Sequence, residues 1–405
     1  MDRDPRNFWS PRRSRKVPRI SPPSTLQDSE RCLRLENLLP GIPNELTLKE
    51  ISTKLSWKDF HVLSSVSRGW RHAIQSREVY NARVRSQTRE TLALIVYGSL
   101  PSQIALYSMR DGSSYLLPPI PGFEGGIPSN SRCVSLDGKI YILGGLRDSS
   151  NIHDREVHVL DFILGGLRDS SNIHDLEVHV LDLAGQIGWK LCASMREGQS
   201  ELIGGVHDGK IYGFWGNGIN DHACGEVYDP KTNTWSRIRA EVWVSDHEVE
   251  SLGEEIFVFN DPRDYDSRST RNHFAYHPVK DEWREVNLSK FSVEDIPFVA
   301  QGNWHLLGTD GIYVHDADHN SWTELHTCSL PENINSVIRS PFGVQAVDKE
   351  LLALWNCLSD FDGFCLFQSK GFCGDTREIL WERVPLDFAA EWLKSNPCSM
   401  SRVQL

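Results

Sequence analysis

The 405-residue chain has no apolar run approaching the roughly 18 residues that a membrane-spanning helix needs. Its opening stretch, MDRDPRNFWSPRRSRKVPR, lacks the apolar core of a secretory signal. The expectation is a chain kept in the reducing cytosol or the nucleus. Nine cysteines include no CxxC pair, and the odd count argues against a disulfide framework or a zinc finger. Cys357, Cys365 and Cys373 form the densest group, with no histidine near them, and read as structural or free thiols. There is no P-loop, no GxSxG, no HExxH, and no GxGxxG following a strand, so the common motif-borne enzyme chemistries find no support. Basic charge is scarce outside the N-terminus. The net charge is −12, yet residues 1–19 hold seven Lys/Arg against two Asp, which leaves the remainder near −17. So acidic a body lacks the basic footprint of a nucleic-acid binder. Arg12-Arg13-Ser14-Arg15-Lys16 has the form of a nuclear address, although a solvated tail is the plainer reading.

What is present divides into three textures. Residues 1–37, rich in Pro, Ser and Arg, read as a disordered basic tail. Residues 38–80 read as a small helical module. Pro43 and Asn44 start a helix in which Leu48, Ile51 and Leu55 recur at helical spacing. Ser56 with Asp59 resembles a capping box before a second helix carrying Phe60, Leu63, Val66, Trp70 and Ile74. Two such helices bury little surface alone and gain most by packing on a partner helix. Residues 81–91 read as a linker, and 391–405 as a C-terminal tail.

Between 92 and 390 the pattern is short β-rich runs such as ALIVYG, KIYILGG, KIYGFWG and EIFVFN, separated by turn dipeptides. Asp137-Gly138 and Asp208-Gly209, each preceding a KIY triplet, predict tight hairpins. A longer period overlies these strands. Tyr228 and Trp235 are echoed by Tyr276 and Trp283, and more loosely by Tyr313 and Trp322. Trp189, Trp235, Trp283, Trp322 and Trp381 fall 46, 48, 39 and 59 positions apart. A period of about 40–50 residues with four strands is that of a propeller blade. Starts near 92, 131, 201, 247, 297 and 341 predict six blades, the first without an obvious fourth strand. Residues 380–384 are the expected closing strand. The paired aromatics read as wedge filler between neighbouring sheets.

These residues carry a family resemblance. Ile42-Pro43, Glu45-Leu46, Ile51, Leu55, Leu63, Val66 and Trp70-Arg71 look like an F-box. Gly144-Gly145, Gly165-Gly166 and the Tyr–Trp pairs look like kelch repeats. Over roughly residues 38–390 the chain resembles the F-box/kelch-repeat family, abundant in plants. Glu78-Val79-Tyr80 with Thr91-Leu92 resembles the link between the two halves in plant members. Ser67 stands where a cysteine is often found, Gly213-Phe214-Trp215-Gly216 is a degenerate glycine motif, and later blades lack Gly-Gly.

The resemblance implies a non-catalytic substrate adaptor of a cullin–RING ubiquitin ligase. The F-box would dock on a Skp-type adaptor, and the propeller would present a target protein. On that analogy the apolar face of Ile42, Pro43, Leu46, Ile51, Leu55, Leu63, Val66 and Trp70 is shared between the module's core and the adaptor interface, with Trp70 leaning to core. A kelch scaffold outside any ligase, or a propeller enzyme, are the alternatives. The second is weak, since Tyr265 and Arg268 have no partners at matching spacing. No cofactor or metal is expected: His153-Asp154 and its copy read as loop residues, and Asp261, Asp264 and Asp266 lack the order of a calcium loop. Target contacts are expected on long loops, Asn260–His273 with Arg263, Asp264, Tyr265 and Arg268, and Cys357–Thr376.

One anomaly stands inside the second blade. Residues 142–162, ILGGLRDSSNIHDREVHVLDF, are repeated almost unchanged at 163–183. Twenty-one residues are about half a blade, so the copy cannot be an additional one. The turn Asp137-Gly138 joins copy one and the Trp189 strand follows copy two, so a single copy satisfies both ends. The junction VHVLDFILGG contains no turn residue. Either the run becomes one long strand with one copy's partner displaced, or about 21 residues loop out at the propeller rim, and a recent duplication or a gene-model error is favoured over a selected functional loop.

Overall fold

The computed structural model describes residues 37–97, 103–120, 127, 131–144, 146–147, 173–174, 178–183, 185, 188–196, 202–216, 223–239, 249–259, 273–286, 295–308, 310–316, 319, 321–329, 338–347, 349–357, 364–370, 372, 378–384 and 397–405. A small helical module leads into a six-bladed β-propeller.

The module holds α1 (Asn44–Glu50), a 3-10 turn (Ser52–Lys54), α2 (Asp59–Val66), α3 (Arg68–Gln75) and α4 (Glu78–Arg85). The run from Phe60 to Ile74, expected as one helix, is two. Ser67 adopts extended backbone and its hydroxyl accepts from the Trp70 N–H at 3.1 Å, so it caps α3. The capping box is half realised: the Asp59 carboxylate accepts the Ser56 N–H at 3.0 Å. The first five residues of the expected linker 81–91 are helix, because Val79, Tyr80, Ala82 and Arg83 bury one face of α4.

The blades follow in chain order. Blade 1 holds β1 (Thr91–Tyr97), β2 (Gln103–Tyr107) and β3 (Ser114–Leu116). Blade 2 holds β4 (Arg132–Leu136) and β5 (Lys139–Leu143); the short strands β6 (Leu146–Arg147) and β7 (Ile173–His174) branch from it; β8 (His179–Asp182) and β9 (Trp189–Leu191) complete it. Blade 3 is β10 (Leu202–His207), β11 (Lys210–Gly216), β12 (Ala223–Asp229) and β13 (Thr234–Arg239). Blade 4 is β14 (Val249–Leu252), β15 (Glu255–Val258), β16 (His273–His277) and β17 (Glu282–Val286). Blade 5 is β18 (Ile296–Ala300), β19 (Asn303–Leu307), β20 (Gly311–Asp316) and β21 (Ser321–Ser329). Blade 6 is β22 (Ile338–Val347), β23 (Glu350–Cys357), β24 (Phe364–Lys370) and β25 (Glu378–Arg383).

The ring closes differently from the expectation. Residues 380–383 belong to β25, and Val384 just beyond it donates to the Leu366 carbonyl of β24, so the stretch stays in blade 6. Closure comes from β26 (Pro397–Gln404), inside the stretch expected as a tail, which pairs with β1 from Thr91↔Gln404 to Tyr97↔Pro397. This supplies the missing fourth strand of blade 1. The innermost strands β26, β4, β10, β14, β18 and β22 then lie against one another in a closed ring, so the circle of blades has no gap between the first and the last. A second weld lies at the rim: β21 and β25 pair in parallel at Thr327↔Glu378, Cys328↔Ile379 and Ser329↔Leu380.

Strand alternation explains why the runs read as continuously apolar. Leu92, Leu94 and Val96 face the seam between blades 1 and 2, while Ala93 and Ile95 face that between blades 6 and 1. Both faces of a blade are covered, so both sets of alternate residues are apolar. Each of the six seams holds its own buried cluster, and the helices hold a seventh. Asp137-Gly138 and Asp208-Gly209 form the expected hairpins, with φ of 52° and 67°, and 45° and 71°. Both residues of each pair sit in the left-handed region that a type I′ turn requires.

Candidate functional site

One region is built to meet another molecule: the outer face of the helical module. The module's core contains Leu38, Leu48, Phe60, Trp70, Ala73, Ile74, Val79 and Ala82, with Leu55 and Leu63 half-buried against it. Of the residues read from the sequence, Trp70 is therefore core, at 2% exposure. Ile51 is half-buried and Pro43 exposed. Ile42, Leu46 and Val66 stand exposed, the last two at 50% and 64%. Val62, one turn before Val66 on α2, is 60% exposed and was missed from the sequence, because Leu63 beside it carried the helical period.

The module is fastened to the propeller by buried polar groups. Glu90, immediately before β1, accepts from the Trp57 N–H at 3.1 Å, the Ser56 hydroxyl at 3.2 Å and the Ser108 hydroxyl at 3.3 Å. Its own backbone exchanges two hydrogen bonds with Leu405, at 2.6 and 2.8 Å. Arg83 lies 4.0 Å from the Glu90 carboxylate, 1% exposed, and donates to the carbonyls of Leu55 at 2.7 Å and Thr88 at 3.1 Å. Burial pulls its pKa down while Glu90 opposes that shift. Arg77 has a left-handed φ of 63°, pairs with Asp182 at 2.7 Å and also donates to the Asp137 carbonyl. At blade 1, Lys58 pairs with Asp111, whose carboxyl it holds well below the usual range, and Trp57 meets Tyr115 edge-on at 5.0 Å.

On the propeller, Tyr228 lies 5.1 Å from Trp235 and Tyr276 4.9 Å from Trp283. Both turns repeat one device. The Tyr228 hydroxyl donates to Asn233 at 2.9 Å and the Tyr276 hydroxyl to Asp281 at 2.7 Å, both acceptor residues having left-handed φ. The Trp side chains reach backwards between blades: Trp189 Nε1 donates to the Pro118 carbonyl and Trp235 Nε1 to that of Ala193, each at 2.8 Å, and Trp283 packs on Phe214 at 5.4 Å. In blade 5 the pairing differs from the reading. Trp322 lies opposite His315, at 4.9 Å, whereas Tyr313 lies opposite Glu324. His315 sits seven residues before its tryptophan, as Tyr228 and Tyr276 do, and occupies the equivalent ring position. Trp381 is buried against Trp355 at 6.2 Å, with Ser369 across the ladder. Gly144 takes a φ of 61° at the end of β5.

Gly145, Gly165, Gly166, Arg263, Asp264, Tyr265 and Arg268 lie outside the described residues. So do the two copies' junction and most of the expected target loops. The duplicate is nonetheless resolved by register. Ile142 of copy one pairs with His179 of copy two, and Leu146 with His174. Blade 2 therefore uses the beginning of the first copy and the end of the second, and the surplus falls between Arg147 and Ile173.

Among the described residues no group of three or more His, Cys, Asp or Glu side chains could hold a metal, and no helix is long and apolar enough to cross a membrane. Cys133, Cys192 and Cys365 are free thiols, and burial pushes the Cys133 thiol far up. The axis of the propeller contains a cavity of about 350 Å³.

The fold and these surfaces define a β-propeller carrying an N-terminal helical module. No family model matches the chain. Curated relatives point one way. An F-box/kelch-repeat protein of Arabidopsis thaliana is 24% identical over 359 residues, covering 86% of this chain and 83% of its own. Two further F-box/kelch-repeat proteins of that plant are 25% and 28% identical over 213 and 208 residues. Those matches cover 51% and 49% of this chain, and about half of each relative, 51% and 52%. The likeness to the F-box/kelch-repeat family, read first from residues, thus extends along most of the chain.

Proposed function

We propose that this chain is a substrate-recognition adaptor of a cullin–RING ubiquitin ligase. The helical module docks on a Skp-type adaptor, and the propeller carries the target protein. The observation that carries this reading is the exposure of Ile42, Leu46, Val62 and Val66 on a module whose core is filled without them. Exposed apolar side chains on a small helical unit gain free energy when a partner helix covers them. The fastening through Glu90, Arg83 and Arg77 supports it further, because a target held by the propeller would keep a set position relative to the docking face. The chain contributes effective concentration rather than chemistry, and its place of work is the cytosol or the nucleus.

The test is Leu46→Asp combined with Val66→Asp. Both side chains are more than half or half exposed, so the fold should survive. Loss of co-purification with a Skp-type adaptor, at unchanged circular dichroism, is the expected result. Capture equal to that of the wild type would remove the adaptor role and leave a kelch scaffold.

A further inference from the structure

Blade 2 has two sequences able to form its third strand. The strand in place, β8, is His179-Val180-Leu181-Asp182, and copy one carries the same four residues at 158–161. Either could meet the ladder partners on β5 and β9. The hairpin before β8 is indifferent as well. Leu146 and Arg147 pair with His174 and Ile173, and copy one offers His153 and Ile152 in their place. Exchanging the copies would shorten the β6–β7 connection from 25 residues (148–172) to four (148–151). It would lengthen the β8–β9 connection from six residues (183–188) to 27 (162–188). Closure entropy varies with the logarithm of length, so one change largely offsets the other. Ladder and loops leave the two registers nearly equal, and the choice falls to contacts outside them.

Those contacts lie just past the strand. Copy two continues as Leu183-Ala184-Gly185, copy one as Phe162-Ile163-Leu164. Leu183 is 3% exposed in the cluster between blades 1 and 2, and its N–H donates to the Gly138 carbonyl at 3.1 Å. A phenylalanine there overfills a closed cluster. Gly185 is buried beneath Arg77. A Cβ at this position would stand 2.8 Å from an Asp182 carboxylate oxygen and 3.3 Å from the Arg77 Cγ. The carboxylate is not free to turn aside, because Arg77 holds it at 2.7 Å. Arg77 is itself held, donating to the Asp137 carbonyl and lying 4.4 Å over the Tyr80 ring. Leu164 in the place of Gly185 would break this pair or be expelled.

We propose that Arg77 and Gly185 form a register lock, through which the helical module selects copy two as the third strand of blade 2. The consequence is positional. Leu183 and the Asp137-Gly138 turn lie at the end of the blade to which Arg77 fastens the helices, and the β6–β7 connection leaves from the opposite end. The lock thus assigns the surplus 21 residues to the end away from the helices, where β15 also connects to β16 and β23 to β24. With the lock released, the surplus enters the β8–β9 connection at the helical end. The inference stands whether or not the module docks on an adaptor.

Hydrogen exchange of the purified full chain, read by mass spectrometry, separates the copies, because peptides 155–162 and 176–183 differ at Arg155/Leu176 and Phe162/Leu183. In the wild type, slow exchange is expected in 176–183 and not in 155–162. Phe162→Leu with Leu164→Gly gives copy one the ending of copy two and leaves the Arg77, Asp182, Leu183 and Gly185 contacts in place. Both peptides should then show a slow and a fast population, the slow fraction of 155–162 rising by roughly tenfold or more. Arg77→Ala releases the lock from the other side and should give the same redistribution. Slow exchange confined to 176–183 in either variant, or shared by both peptides in the wild type, would overturn the proposal.

Discussion

Arg83 shows what one buried cation can hold. Its guanidinium satisfies two carbonyls and faces Glu90, which in turn receives three donors from two separate elements. Arg83→Ala would strand a buried carboxylate and should lower stability by about 3 kcal/mol, read from denaturant midpoints. Tyr228→Phe removes the hydroxyl that donates to Asn233 and also meets the Cys192 thiol, and should cost about 1 kcal/mol. A pH effect belongs to His305, 2% exposed and stacked on Phe298 at 5.3 Å. Burial lowers its pKa from 6.5, so below that pH the unfolded chain takes up a proton that the fold resists. Stability should therefore be fully present above pH 6.5 and fall as pH drops beneath it. Melting curves between pH 7.5 and 5.5 should flatten in His305→Gln; His207, also lowered by burial, accounts for part of what remains.

At the scale of elements, the doubled segment is the sharpest case. A strand pairs with whatever continues its register, and the ends of β5 and β8 are equally well served by either copy. Deleting residues 148–168 restores one copy and joins Arg147 to Asp169. Ile142↔His179 and Leu146↔His174 keep their partners, while the connection between β6 and β7 shortens from 25 residues to four. Closing a shorter connection costs less entropy, so the deletion should fold and gain on the order of 1 kcal/mol. A drop in melting temperature would show that the second copy is needed for the blade. The helices teach the converse. The spacing of Phe60, Leu63, Val66, Trp70 and Ile74 is helical throughout, yet Ser67 divides the run, because a hydroxyl that caps the next turn competes with continuing the ladder.

At the scale of the molecule, stability depends on closure. β26 completes blade 1, bridges β4 and β22 in the inner ring, and places Leu405 against Glu90 beneath the helices. Truncation after Asn396 should abolish cooperative unfolding and render both the ring and the junction sensitive to protease, although it removes only the last nine residues. Blades 5 and 6, joined at the rim through β21 and β25, should be the last region cleaved.

Local chemistry made much of this legible. The blade period, the six strand groups, the Asp-Gly hairpins and the Tyr–Trp pairs follow from residue type and spacing, because turn conformation and side-chain alternation are short-range properties. Spacing alone could not say that His315 stands in the Tyr ring position or that Val62 faces outward, since both depend on which face a neighbouring element covers. Nor could it locate the closing strand: PCSMSRVQ is short, partly polar, and lies some 300 residues from its partner β1. That pairing, the Glu90 junction and the axial cavity exist only once the ring has closed. Contacts between distant residues are decided by what the assembled blades leave unpaired, and a linear pattern holds no record of that.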